Sequence, residues 1–157
     1  MAIVDLVGLQ AAIPRGARLL GFDLGEKTIG LALSDTMLTV ATPLQTLKRG
    51  KFSKDAETIE RLIVEHGIGG LVVGLPLNMS GSDGPSAQSA RAFARNFAAL
   101  RDIAIYLSDE RLSTAAVTRT LLEADASRKR RDEVVDKMAA AYILQGVLDR
   151  LHNMRAT

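Results

Sequence analysis

Three acids in this chain stand where a carboxylate is costly unless something compensates it. Asp23 follows the apolar run at residues 19–22, which delivers its carboxylate to the edge of a sheet. Gly25, just beyond, lets the chain turn and lets another backbone or a phosphate come close. Asp is also a common turn-capping residue, and taken alone Asp23 reads equally well that way. Glu110 lies in Ser108-Asp109-Glu110-Arg111, directly after another apolar run. Adjacent acids repel unless a cation offsets them, and the ordinary reading is a solvated loop pair of Glu110 with Arg111 or Lys137. Asp136 heads an apolar stripe, because Ala140, Ile143 and Val147 follow at i+4, i+7 and i+11 on one helical face. An acid on such a face is expensive unless paired or metal-bound. The helix dipole also favours an acid near a helix start, here beside Asp132 and Glu133.

The combination says more than any member. Acids from two strand ends and one helix start can converge on one or two hard cations. Mg²⁺ and Mn²⁺ prefer oxygen ligands and take few protein carboxylates together with substrate phosphate oxygens. Two such ions about 4 Å apart activate water and stabilise the leaving oxygen in phosphodiester cleavage. Asp23, Glu110 and Asp136 are therefore the expected catalytic and metal-binding residues, with Asp109 a further candidate ligand. Zinc is not indicated: His66 and His152 are far apart without ligand spacing, and cysteine is absent. The lack of cysteine also excludes a disulfide scaffold and a thiol nucleophile.

The elements that must position these acids can be read from hydrophobic period. Runs at residues 19–23, 29–34 and 38–47, with tight turns between them, predict an antiparallel meander. Ser53 is placed to cap a helix reaching about His66, with Ala56, Ile59, Leu62 and Ile63 on one side. Gly67, Gly69 and Gly70 stop it, and residues 71–74 form a short buried strand. Pro85 opens a helix that turns Ala90, Phe93, Ala94 and Phe97 inward and Arg91 and Arg95 outward. Residues 103–107 make the fifth strand. A helix from Ser113 or Thr114 to about Ala124 follows, and a last helix runs from about Asp132 to Leu151. The expected fold is α/β: a five-stranded mixed sheet, three meander strands plus two parallel ones, flanked by helices. In such sheets, sites form at strand ends.

The length of 157 residues suits one domain, with residues 1–17 a short lead and 18–157 the domain proper. A hydrophobic fraction of 47% with 24% charged residues is globular rather than disordered. No apolar run approaches the ~20 residues needed to span a bilayer, and the start of the chain lacks the pattern of a secretory signal. Both lead to the expectation of a soluble, unprocessed protein. The net charge of +2 says little, but its distribution says more. Arg128, Lys129, Arg130 and Arg131 form an unbroken cationic run just before the Asp136 helix. Such runs are usually solvated turns. Beside an acid cluster this one becomes a candidate for salt-dependent phosphate contacts. The loop at residues 74–84 offers backbone amides, Asn78 and a helix start to a phosphate, where the ordinary reading is a Gly-rich connection. At 4% aromatic residues, a stacking platform for bases is not expected.

Four blocks in order resemble the YqgF family, also called RuvX, over residues 18–151. They are GFDLGEKTIGLALSD at 21–35, VGLPLNMSGSDG at 73–84, DERLST at 109–114, and SRKRR at 127–131 with VDKMAA at 135–140 and ILQ at 143–145. The resemblance implies a ribonuclease H-like fold. It also implies three metal-binding acids, which fall on Asp23, Glu110 and Asp136, with Mg²⁺ or Mn²⁺ as cofactor. It further implies a hydrolase that processes the 5′ end of pre-16S ribosomal RNA in the bacterial cytoplasm; the expected partners are nucleic acid, RNA before junction DNA, and pre-ribosomal particles, with the protein a monomer or homodimer. The expected nucleic-acid contacts are Gly25, Lys27, Thr28, Asn78, Arg111, Ser113, Arg128, Lys129, Arg130, Arg131 and Lys137. Two positions depart from the family pattern. Thr28 stands where Arg is commoner, which removes a phosphate-binding cation, and Glu26 adds a negative charge beside Asp23.

Three other functions are compatible with parts of this pattern. A junction resolvase would use the same acids on branched DNA, and would need a symmetric dimer. An actin-like ATPase shares the Asp23-Leu24-Gly25 hairpin but needs two such domains. A non-catalytic RNA-binding scaffold could use the same fold without any need for the acids.

Overall fold

A computed structural model describes residues 3–112 and 128–156, with side chains described at 3–111 and 137–155. A six-stranded mixed sheet runs in the order β1-β6-β5-β2-β3-β4. Its strands are β1 (Ile3–Val4), β2 (Arg18–Leu24), β3 (Thr28–Ser34), β4 (Ala41–Lys48), β5 (Ile68–Leu75) and β6 (Ala104–Asp109). The meander β2-β3-β4 is antiparallel, while β5 lies parallel to both β2 and β6. This is the mixed α/β sheet expected, with one strand more. The helices are α1 (Leu6–Ala12), α2 (Phe52–His66), α3 (Pro85–Leu100) and α4 (Arg128–Ala156), with a 3₁₀ turn at Glu110–Leu112.

Side chains alternate across the sheet and so divide the core in two. On one face Leu20 and Phe22 of β2 pack with Leu71 and Val73 of β5 against Ile59 of α2 and Phe93 and Phe97 of α3. On the other, Leu19 and Val72 meet Leu9 of α1 and Ala140, Ile143, Leu144 and Val147 of α4. Asp23 shares this second face with Leu19 and Gly21, by strand period. Gly21 lets α4 approach: a Cβ there would stand 2.9 Å from Leu144 Cβ and 3.3 Å from the Ala140 carbonyl oxygen.

The additional strand lies in the segment expected to be a lead. Ile3 and Val4 pair in parallel with Ile105 and Tyr106, and two residues are too few to show a period. Asp5, which interrupts the apolar start, caps α1 by accepting a hydrogen bond from the Gly8 N–H at 2.7 Å. Leu9 of that helix is completely buried. In α2 the cap position falls on Lys51, not Ser53, and no side chain caps it. Asp55 in its first turn instead accepts from the Gly50 N–H. Gly67 ends α2 in the left-handed conformation at φ 63°, whereas Gly69 and Gly70 belong to β5, which is longer than the expected 71–74. The final helix starts at Arg128, so the cationic run is its opening turn rather than a turn preceding Asp132. The helix expected from Ser113 or Thr114 to Ala124 lies outside the described residues.

Candidate active site

The two parallel strands β2 and β6 flank β5, and each brings an acid to its C-terminal end. Asp23 is the penultimate residue of β2, paired across the hairpin with Gly30. Glu110 immediately follows β6, whose last residue, Asp109, is in register with Leu75 of β5. Both carboxylates are withdrawn from solvent, at 4% and 6% exposure. Both line one cavity of about 550 Å³, walled by the β2–β3 turn, Pro76 after β5, and the start of α3. This is the crevice outside the carboxyl ends of parallel strands where ligands bind in α/β sheets. Gly74 makes room for the arrangement. A Cβ at this position would lie 2.7 Å from Ile143 Cδ1 and 3.3 Å from Glu110 Cδ, so α4 and Glu110 both close onto bare backbone.

Asp136 lies on α4, one turn before Ala140 and two before Ile143 in the chain. Ala140 and Ile143 are buried against the strand face that carries Asp23. The Asp136 side chain lies outside the described residues. Among the described residues, no group of three His, Asp or Glu is close enough to hold a metal ion by itself.

Asp109 goes elsewhere. Its carboxylate accepts from Arg111 Nη2 at 2.7 Å and Nε at 3.1 Å, and from the Arg111 N–H at 3.0 Å. The charged hydrogen bond from Arg111 holds the Asp109 carboxyl below the usual carboxylate range against the opposing effect of burial. Arg111 is thus ion-paired with Asp109 in this loop. Arg111 also donates to the Met79 carbonyl at 3.3 Å and so ties the loop after β5 to the end of β6. Asn78 is used inside that loop: it donates to Ser82 Oγ at 3.1 Å, and its backbone N–H bonds the Ser82 carbonyl at 3.0 Å. Arg91, expected to face solvent, is paired with Asp83 at 2.7 Å.

Of the other expected contacts, Gly25 lines the cavity and closes the hairpin by donating to the Thr28 carbonyl at 2.8 Å. Lys27 is exposed at the hairpin tip, Thr28 is half-buried opposite Lys48, and Lys137 is half-buried on α4. Ser113 and the side chains of Arg128, Lys129, Arg130 and Arg131 lie outside the described residues. Arg49, Ser86 and Ser89 line the cavity without having been singled out in the sequence. The available signal for Arg49 was positional. It follows the third meander strand, whose antiparallel register returns the chain to the Asp23 hairpin.

The family model described as "RuvX: Holliday junction resolvase" matches residues 17–150. The chain belongs to the RuvX family. Among its relatives, a protein of Paramagnetospirillum magneticum named "Putative pre-16S rRNA nuclease" is 62% identical over 149 residues, covering 95% of this chain and 96% of that protein. A protein of the same name from Roseobacter denitrificans is 55% identical over 158 residues, covering 99% and 97%. Among solved structures, RuvC of T. thermophilus in complex with a Holliday junction substrate superposes with a TM-score of 0.53 at 12% identity, covering 86% of this chain and 96% of RuvC. That likeness establishes a shared, ribonuclease H-like fold for this RuvX chain. No helix among the described residues is long and apolar enough to cross a membrane.

Proposed function

We propose that this RuvX protein is a metal-dependent nuclease of the bacterial cytoplasm that hydrolyses phosphodiester bonds in maturing the 5′ end of pre-16S rRNA. One observation carries the reading. Asp23 and Glu110, from distant parts of the chain, are both buried and both line one cavity at the sheet's carboxyl edge. Two carboxylates in the lining of one cavity offer hard oxygen ligands to a cation. An all-oxygen donor set fits a hard divalent ion, Mg²⁺ or Mn²⁺, and does not fit a soft one. Asp23 and Glu110 would hold it, with Asp136 as the third carboxylate supplied by the helix that packs on the same face. A divalent ion held there would supply activation of water and compensation of the charge on a departing oxygen. The chain's own part is to fix the two carboxylates on strand ends and to wall the cavity with Pro76 and Pro85. The names of the relatives support RNA as the substrate.

The test is a cleavage assay on three probes: a 5′-extended 16S RNA, an unrelated RNA of equal length, and a synthetic four-way DNA junction, each with Mg²⁺ or Mn²⁺. Selective trimming of the 16S probe is expected. Symmetric cutting of the junction with the RNAs left intact would replace this reading with a resolvase. Failure to cut any probe or to bind Mn²⁺ would reduce the protein to a binding scaffold.

A further inference from the structure

Arg49 follows β4, and its backbone N–H donates to the Lys27 carbonyl at 2.8 Å, which extends the antiparallel ladder to the tip of the Asp23 hairpin. Its guanidinium then reaches across the cavity wall. Nη1 donates to the Gly25 carbonyl at 2.7 Å and Nη2 donates to Ser89 Oγ of α3 at 2.9 Å. Both acceptors are neutral. Among the described residues that line the cavity, Arg49 is the only cation, and it faces a space that also holds Asp23, Glu110 and Glu26.

We propose that Arg49 is the phosphate-binding residue of this cavity, its guanidinium holding a non-bridging oxygen of the phosphodiester presented to Asp23 and Glu110. This inference rests on the nuclease reading and names a further residue of its site. A phosphodiester brings a negative charge into a space already lined by three acids, and a bound metal ion offsets only part of that charge. Arg49 supplies positive charge from the protein. Guanidinium has a rigid planar fork of N–H donors matched to phosphate oxygens. Two hydrogen bonds to neutral acceptors fix the plane of that fork without neutralising it, so little side-chain freedom remains to be lost on binding. A mere strut between the hairpin and α3 would use the same two bonds. It would contribute nothing to the salt dependence of nucleic-acid affinity.

The experiment measures affinity for a short single-stranded RNA across a salt series, with Ca²⁺ replacing Mg²⁺ to hold cleavage off, together with a thermal melt. Arg49→Gln and Arg49→Ala are expected to weaken binding about tenfold, as for loss of a charge-assisted hydrogen bond. They should also lower the slope of log affinity against log salt by about 0.7, the value for one contact to a single strand. Arg49→Lys keeps the charge and loses the fork, so it should retain the slope and lose part of the affinity. If Arg49→Ala fails to fold, the Lys and Gln variants make the comparison. Parental affinity and slope in Arg49→Gln, with a lowered melting temperature, would make Arg49 a strut and overturn the proposal. A parent that cuts no probe, paired with a lost slope in Arg49→Gln, would overturn the nuclease reading and leave the phosphate site standing.

Discussion

Asp23 and Glu110 are held almost out of water in the lining of one cavity. Asp23→Asn keeps the shape and removes the charge a divalent ion needs. Cleavage of the 16S probe should fall to background in this variant, while its melting temperature holds or rises. Full activity in the purified protein would refute the role of Asp23. Asp35 behaves differently. Its burial raises the carboxyl pKa, but the Thr39 hydroxyl and the Val40 and Thr39 N–H groups outweigh that and hold it at about 2, against an ordinary 3.8. A depressed carboxyl contributes stability that is complete above its unfolded value and is lost as pH falls through the folded one. Melting temperature should therefore drop as pH falls from about 3.8 toward about 2, and Asp35→Asn should flatten that part of the profile. The places of Asp23 and Glu110 in the cavity lining were legible in the sequence, because Asp23 ends an apolar run and Glu110 lies just beyond one. Arg49 was not, because its place depends on the register of a hairpin and on the packing of α3, neither of which shows as a local pattern.

At the scale of elements, α4 both covers the strand face that carries Asp23 and begins with four cations. A run of cations at a helix N-terminus opposes the helix dipole, which is why sequence pattern places the start at Asp132, where acids first appear. Arg and Lys are nonetheless good helix formers, and the helix begins at Arg128. An anion at this end would relieve the opposition. Replacing Arg128, Lys129, Arg130 and Arg131 with Ala should weaken RNA binding and lower its salt slope by about 1.4, for two contacts of the four at about 0.7 each. Helix stability should hold or rise, and Mn²⁺ affinity should be unchanged. An unaltered slope would make the run a solvated helix start. The contact between α4 and β2 is less forgiving. Gly21→Ala puts a methyl 2.9 Å from Leu144 Cβ, an atom fixed to the helix backbone, so α4 itself must move. Urea unfolding should show a loss of about 1–3 kcal/mol, with cleavage reduced through displacement of the helix that carries Asp136.

For the whole molecule, the meander, the alternation of strands and helices and the two-sided core follow from hydrophobic period, and Phe93, Phe97, Ile143 and Val147 are buried as that period requires. The edge at β1 was illegible because its order comes from β6, far away in sequence, and not from its own two residues. The same holds for α1, whose single fully buried anchor is Leu9. Leu9→Ala should cost about 2–5 kcal/mol in denaturant unfolding, as a core truncation does. A loss under half a kilocalorie would mean that residues 1–12 are dispensable for the domain. The sheet order has a consequence for how the protein comes into being. Asp23 emerges early from the ribosome, but β5 must cross over to dock beside β2, and β6 beside β5, before Glu110 stands in the same cavity. A partly translated chain that ends before β6 thus holds half of the carboxylate pair. On the proposed reading the cutting centre is completed only after most of the polypeptide has been made, so a partly translated chain carries no nuclease activity.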